Sequence, residues 1–252
     1  ALEWSQVLQP AISLAEEGAP VSGFLAERLA TPLGMRVTSG VEGFRDAGGG
    51  VLQEGETLRQ PLLALTMRAI ADHGAASFYT GPISDELVRV PGIDAASLAA
   101  YEVVVSSPAT GTFGEFQIAS AAPALPGAAL IQMLQIAEAA GIGSVPPESA
   151  EFIDLQSRAW RVAEGEVQTL LGDPAFTDVP VDRLTDPEAN ASLAASLAPA
   201  GLGAVAEYDG SPNTSHTSVI DHEGLAVSMT NTVTDYWGSG TQVGGFWIND
   251  QL

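Results

Sequence analysis

The sequence predicts an α+β chain that is mostly helical up to about residue 200 and then changes to β-structure. Two observations carry this prediction. Apolar side chains recur at helical spacing in three separate segments of the first part. Residues 214–233 instead contain a β-branched run, a short polar turn and a second run of alternating character, which together predict one hairpin.

The three helical segments are defined by stripes of apolar residues that we expect to face the core. The stripes are Leu63, Met67 and Ile70; Leu130, Met133, Leu134 and Ala137; and Phe152, Leu155, Ala159 and Val162. Gly74 and Gly141 end the first two segments, and Pro146 and Pro147 lead into the third. Trp160 of the third helix is also predicted to pack.

Glycine and proline mark the remaining boundaries of the helical part. Gly18 and Pro20 end an early helix, and Gly48 to Gly50 form a loop. Residues 171–184 (LGDPAFTDVPVDRL) predict a loop rich in turns, in which the aspartates act as caps. Phe116 to Ser120 is a further candidate strand.

The hairpin contains the candidate nucleophile. Residues 208–213 (YDGSPN) are dense in turn formers, and a strand follows up to Ile220. Asp221 to Gly224 turns the chain, and Leu225 to Val233 returns as a strand. Thr214 and Thr232 should therefore lie together near the open end, so that Thr214 presents a hydroxyl directly after a turn.

Composition excludes several classes of function. The chain of 252 residues has 9 basic residues, all of them arginine, against 31 acidic ones, which gives a net charge of −22. A field of that sign repels nucleic acid and anionic membrane surfaces. Without lysine or cysteine there is no Schiff-base lysine, thiolate nucleophile or disulfide. No long uncharged apolar run predicts a membrane-spanning helix within this segment.

Several blocks of sequence resemble one known family. Residues 213–240 (NTSHTSVIDHEGLAVSMTNTVTDYWGSG) are similar to the start of the small subunit of γ-glutamyltranspeptidases, and residues 58–84 and 171–184 are similar to their large subunit. The resemblance implies a four-layer αββα N-terminal-nucleophile hydrolase fold. It also implies that residues 1–213 are the mainly helical C-terminal part of a large subunit. Residues 214–252 would then begin the small subunit. The hairpin would belong to one of the two central sheets of the fold, and so would Phe116 to Ser120.

The same resemblance implies roles for particular residues. Self-cleavage between Asn213 and Thr214 would free the α-amino group of Thr214, which then serves as the general base for its own hydroxyl. Thr232 matches a threonine that hydrogen-bonds the nucleophile. Gln251 and Thr234 match positions that contact the substrate, although the family often has asparagine at the latter. No metal and no cofactor are implied.

The implied substrate is a small γ-glutamyl amide such as glutathione, and the acceptor is water, an amino acid or a peptide. Large and small subunits would stay paired after cleavage, and the family is commonly periplasmic or extracellular. Two alternatives remain. One is a related amidase acting on β-lactam side chains or poly-γ-glutamate, because Thr217 and Thr234 depart from the usual pocket. The other is a homologue or fragment without catalytic activity.

The chain is also expected to be an internal segment of a longer protein. The family's carboxylate-binding arginine would lie before Ala1, and its oxyanion glycine pair and amine-binding acid would lie after Leu252. Gly244 and Gly245 should therefore serve a strand entry rather than replace the oxyanion hole. His216 follows Thr214 by two residues and shares its face, but the resemblance implies a structural role for it.

Overall fold

A computed structural model describes residues 2–197 and 214–250. Asn213 and Gln251, two of the predicted site residues, lie outside the described residues. The described chain forms two compact units. One contains the residues up to Glu102 together with those from Thr214 onward, and the other begins at Val103.

The first unit begins with seven helices and one short antiparallel strand pair among the described residues. The elements are α1 (Trp4–Glu17), β1 (Ala19–Pro20), α2 (Gly23–Ala30), α3 (Pro32–Val37), β2 (Thr57–Leu58), α4 (Pro61–His73), α5 (Ala76–Tyr79), α6 (Pro82–Leu87) and α7 (Ala95–Ala99).

Helices α1 and α4 pack against each other, as their apolar faces require. Ile12 and Ala15 of α1 are buried against Ala64 of α4, with Met67 packed beside them. The Glu16 carboxylate accepts a hydrogen bond of 2.7 Å from Arg68 Nε, and this bond lowers the pKa of Glu16. The helix predicted before Gly74 is confirmed, with Gly74 as its C-cap.

A second core of the first unit joins the early helices to the segment that follows the hairpin. Leu29, Phe44 and Trp237 are buried in it together with Val21 and Leu52. The ring of Trp237 meets that of Phe44 edge-on, with centroids 6.0 Å apart. Because these residues are distant in sequence, this core holds the end of the hairpin segment against α2.

The second unit contains one hairpin, four α-helices and a 3₁₀ turn at Ile142–Ser144 among its described residues. The elements are β3 (Ala109–Phe113), β4 (Phe116–Ser120), α8 (Gly127–Ala139), α9 (Ala150–Leu170), α10 (Val181–Leu184) and α11 (Pro187–Ala195).

Helices α8 and α9 confirm the two longer helical predictions, with two corrections. Met133 and Ala137 of α8 are buried against Leu155 and Ala159 of α9. Leu130, however, is 40% exposed, and Trp160 is 43% exposed, so neither is a core residue. Helix α8 is buried around most of its circumference, which a single apolar stripe could not predict.

The strand expected at Phe116 to Ser120 is confirmed. It pairs antiparallel with β3, as in the partners Gly111 and Ile118. Within the described residues this sheet has two strands and shares none with the 214–232 hairpin. Strand β3 also approaches α8 closely, since a Cβ at Gly111 would collide with the Ile131 side chain.

Asn190 of α11 is a fully buried polar residue whose hydrogen bonds join three elements of the second unit. Its Oδ1 accepts from Gln132 Nε2 at 3.2 Å, and its Nδ2 donates to Gln135 Oε1 at 2.7 Å and to the Leu184 carbonyl at 3.0 Å. Because water cannot replace these partners in the interior, the network fixes α11 on α8.

We expect Asn190→Ala to lower the free energy of unfolding by roughly 2 to 4 kcal/mol, because it leaves several buried polar groups without partners. Chemical denaturation of the full-length protein, followed by circular dichroism, measures the change. Ser192→Ala on the exposed side of the same helix is the matched control and should shift stability by less than about 0.5 kcal/mol. Equal effects of the two substitutions would contradict a structural role for the network.

The remaining described strands belong to the first unit. They are β5 (Thr214–Ile220), β6 (Ala226–Thr232), β7 (Gln242–Val243) and β8 (Phe246–Trp247). Strands β5 and β6 form the predicted hairpin, and every residue in both strands is exposed. Within residues 2–197 and 214–250, no helix is both long and apolar enough to cross a bilayer.

Candidate active site

The β5–β6 hairpin is closed by an aspartate turn. Asp221 Oδ1 accepts hydrogen bonds from the N–H groups of Glu223 and Leu225, each 2.9 Å long. Gly224 has φ +88°, a conformation that glycine adopts without strain. The turn confirms the interpretation of residues 221–224 and sets the register of the two strands.

That register places Thr214 directly opposite Thr232. The pairing begins there and continues through His216 with Thr230 and Ser218 with Ser228. Because side chains alternate along a strand, all six residues share one face of the hairpin. The expectation that Thr214 and Thr232 lie together at the open end is confirmed.

The His216 ring is held by two hydroxyl groups of the partner strand. Its Nδ1 lies 2.8 Å from Thr230 Oγ1, and its Nε2 lies 2.9 Å from Ser228 Oγ. Both ring nitrogens therefore have partners on β6. These contacts fit the structural role that the resemblance implied for His216.

Thr232 and Thr234 are linked through a sharp bend after β6. The Thr234 N–H donates to Thr232 Oγ1 at 2.8 Å, and the Thr234 hydroxyl donates to Asn249 Oδ1 at 3.1 Å. Thr234 has φ +74°, which is uncommon for a β-branched residue and indicates local strain. The bend orients the Thr232 hydroxyl and brings the polar segment around Asn249 next to the end of the strand.

The open end of the hairpin borders a cleft of about 560 Å³. Its walls are formed by Phe24, Thr214, Ser215, Asn231, Thr232, Val233 and Tyr236. The two threonines predicted to be catalytic thus face one space with hydroxyl and amide groups around them. The cleft has room for a carbonyl group beside Thr214, and Thr232 lies opposite it on the same face of the hairpin.

The second unit has a groove of similar volume, about 580 Å³, between residues 106–107, 122–123 and 174–181. Its lining includes the exposed ring of Phe176 and the carboxylate of Asp178. The aspartate caps predicted for the loop of residues 171–184 are partly observed, since Asp173 Oδ1 accepts a hydrogen bond of 2.8 Å from the Ala175 N–H. The opposed threonines distinguish the hairpin cleft as the candidate active site.

Gly244 and Gly245 form the turn between β7 and β8, as expected. Their φ angles are +53° and +86°, and the Thr66 hydroxyl donates to the Gly244 carbonyl at 2.7 Å. A Cβ at Gly245 would collide with the backbone of Leu63. The pair is therefore required by a tight turn packed closely on α4.

The aromatic part of the cleft was not predictable from the sequence. Phe24 lies in α2, and its ring centroid is 5.5 Å from that of Tyr236. No local pattern connects two aromatic residues so far apart in the chain, because only the second core brings their segments together. Among the described residues, no group of three or more potential metal ligands is present at this or any other place.

The family model described as gamma-glutamyltranspeptidase matches residues 1–252. The chain belongs to the γ-glutamyltranspeptidase family. The resemblance inferred from the hairpin and the helical blocks is thereby confirmed. The members of this γ-glutamyltranspeptidase family are enzymes, and its fold class is the predicted α+β N-terminal-nucleophile hydrolase fold. The part of the chain that the structure describes is a mostly helical part of that fold together with the β5–β6 hairpin.

Relatives named for different activities match the chain over nearly its whole length. A glutathione hydrolase proenzyme of Pseudomonas aeruginosa is 34% identical, covering 100% of this chain and 47% of that protein. The capsule biosynthesis protein CapD proenzyme of Bacillus anthracis is 29% identical, and the match covers 100% of this chain and 46% of that protein. An acylase ACY 1 proenzyme of a Pseudomonas species is 31% identical, and the match covers 97% of this chain and 46% of that protein. The chain thus spans just under half the length of these relatives.

Solved structures agree with this assignment. The γ-glutamyltranspeptidase of Helicobacter pylori superposes with a TM-score of 0.74 at 28% identity, over 81% of this chain and 61% of that one. A cephalosporin acylase from Bacillus halodurans superposes with a TM-score of 0.79 at 21% identity, over 99% of this chain and 48% of that one. At that low identity the second match supports the shared fold alone.

Proposed function

We propose that Thr214 is the nucleophile of an enzyme that transfers or hydrolyses the acyl group of γ-glutamyl amides. The observation that carries the proposal is the pairing of Thr214 with Thr232 at the mouth of the hairpin cleft. The Thr214 oxygen attacks the amide carbonyl, the C–N bond breaks, and the amine leaves with a proton. Water or an amine then attacks the ester on Thr214 and releases the acyl group.

The general base in this proposal is the α-amino group of Thr214 itself. An α-amino group has a pKa near 8, so a useful fraction is unprotonated at neutral pH. His216 is less suited, since both of its ring nitrogens contact hydroxyl groups of β6. The amine becomes available only when the bond between Asn213 and Thr214 is cleaved. The relatives' designation as proenzymes supports such a step.

Cleavage would divide the chain into a large-subunit part, residues 1–213, and the start of a small subunit, residues 214–252. Trp237 is buried in a core shared with helical residues such as Leu29, which supports the proposal that both parts stay paired after cleavage. Thr234 and Gln251 are proposed to contact the bound acyl group. Thr234 already donates its hydroxyl to Asn249, so this contact would need that hydroxyl to exchange partners or to accept as well.

The proposed substrate is a γ-glutamyl amide of the glutathione type, since the Pseudomonas aeruginosa relative is named a glutathione hydrolase. A second candidate is an amide of a β-lactam nucleus or of poly-γ-glutamate. It is favoured by the threonine at position 234 and by the similarity to an acylase and to CapD. Turnover of γ-glutamyl-p-nitroanilide by the complete protein tests the first candidate. Activity confined to glutaryl β-lactam or capsule substrates would replace it with the second.

Thr232→Val should reduce kcat/KM for γ-glutamyl-p-nitroanilide roughly tenfold to thousandfold. Valine keeps the shape of threonine but removes the hydroxyl that orients the Thr214 oxygen and accepts the Thr234 N–H. Steady-state kinetics on the full-length protein measure kcat/KM for the variant and for the wild type. Ser218→Ala is the control on the same face of the hairpin, two pairs from the open end, and it should change the rate by less than about threefold. A normal rate in Thr232→Val would assign Thr232 to packing.

A further inference from the structure

The hairpin cleft has an aromatic wall made of Phe24 and Tyr236, which the proposed reaction of Thr214 does not use. The Phe24 ring is 56% exposed although it lies beside a well-packed core. Each ring is adjacent in sequence to a core residue, since Leu25 packs against the second core and Trp237 is buried in it. The backbone positions of both rings are therefore fixed while one side of the pair remains open to the cleft.

Arg28 holds the two rings together. It lies four residues after Phe24, on the same side of α2. Its guanidinium carbon is 5.6 Å from the centroid of the Phe24 ring and 5.4 Å from that of Tyr236. Its Nη2 donates to Glu27 Oε1 at 2.7 Å. Cation–π attraction to both rings at once keeps the pair in one orientation, which makes Arg28 a positioning residue.

The polar part of the cleft is uncharged. Within the described residues, the side chains that line it carry hydroxyl, amide, aliphatic or aromatic groups and no formal charge. The charged amino and carboxylate groups of a γ-glutamyl substrate need opposite charges or a dense set of donors, because burying them unpaired is costly. The Phe24–Tyr236 side of the cleft instead suits a planar, weakly polar group.

We propose that Phe24 and Tyr236 form a binding site for the amine portion of the substrate, with preference for a planar or aromatic amine. This inference rests on the proposed function of Thr214. The scissile carbonyl would lie at the Thr214 oxygen, and the departing nitrogen would carry its substituent against the rings. An aromatic acceptor amine would bind in the same place before it attacks the ester. The wall thus selects which amide is cleaved and which amine receives the acyl group.

The test compares two amides that share the acyl group and differ in the amine. Full-length wild-type protein and the variants Phe24→Leu, Tyr236→Leu and Arg28→Met are assayed with γ-glutamyl-p-nitroanilide and γ-glutamyl-methylamide. Leucine keeps apolar volume but removes the planar face. We expect each leucine variant to lose about tenfold in kcat/KM for the anilide and less than about twofold for the methylamide, from the energy of aromatic pairing. Phe116→Leu, an exposed phenylalanine of β4, is the control and should affect neither.

Arg28→Met separates positioning from folding. If Arg28 orients the rings, the variant raises KM for the anilide several-fold while kcat for the methylamide stays unchanged; Arg28→Lys, which keeps the cation, restores part of the loss. A merely structural role would lower both rates together. Equal losses for the two amides in the leucine variants would overturn the proposed site.

A binding experiment distinguishes failure of the aromatic site from failure of the proposed reaction. The full-length wild-type protein, which has no acyl donor in this experiment, is titrated with p-nitroaniline and with methylamine by calorimetry, and both titrations are repeated with the Phe24→Leu variant. We expect binding of p-nitroaniline that Phe24→Leu weakens about tenfold, and no comparable binding of methylamine. If wild-type protein cleaves neither amide but the binding difference is found, the proposed reaction fails and the aromatic site stands. Absence of the difference rejects the aromatic site even if both amides are cleaved.

Discussion

Thr214→Ala in the full-length protein should abolish turnover of γ-glutamyl-p-nitroanilide, with a loss on the order of 10⁴-fold or more. Among the described residues that line the cleft, Thr214 alone would combine a hydroxyl with a free α-amino group after cleavage, and the substitution removes that hydroxyl. Thr232 faces it across the hairpin but lies at the end of β6, where its nitrogen stays in a peptide bond. No neighbour can therefore replace both functions of Thr214.

Two further variants make this result specific. Thr214→Ser keeps a hydroxyl and an amine and should retain measurable activity, although the missing methyl group leaves the oxygen less fixed. Ser218→Ala alters the same face of β5, two pairs further from the open end, and should be close to wild type. If Thr214→Ala retained most of its turnover with a normal circular dichroism spectrum, the nucleophile would have to be sought elsewhere.

Purified full-length protein should be found cut between Asn213 and Thr214, with nearly complete conversion on standing. The Thr214 amine cannot act as a base while it is part of an amide, so activity requires this bond to break first. In the expected route the Thr214 hydroxyl attacks the Asn213 carbonyl, an ester forms in place of the amide, and water hydrolyses the ester. Intact-mass measurement gives the fragment sizes, and N-terminal sequencing should begin Thr-Ser-His.

The cleavage and the turnover should depend on the same hydroxyl. Thr214→Ala should stay as one chain, whereas Thr214→Ser should be cut, more slowly than wild type. Activity should appear in step with the new N-terminus during a time course. Uncut protein with full activity would refute the N-terminal-nucleophile mechanism, and uncut protein without activity would favour a homologue that binds but does not catalyse.

The sequence alone determined the features that depend on neighbours along the chain. The helix ended by Gly74 and the helix that follows Pro147 were predicted because apolar periodicity and helix-ending residues are local properties. The hairpin was predicted in the same way from its polar turn at Asp221 and alternating strands. Placing Thr214 near Thr232 followed from the hairpin length, whereas their expected catalytic roles came from the resemblance to the γ-glutamyltranspeptidase family.

Contacts between distant segments were decided only by the tertiary structure. Leu130 and Trp160 fit apolar stripes but are exposed, because periodicity shows which residues share a face and not what covers that face. The strand at Phe116 to Ser120 was predicted, but its partner Ala109–Phe113 was not, because strand pairing and the close approach of α8 are set by packing. The wall of Phe24 and Tyr236 exists because a buried core joins α2 to the segment after the hairpin, and no pattern within either segment encodes that meeting.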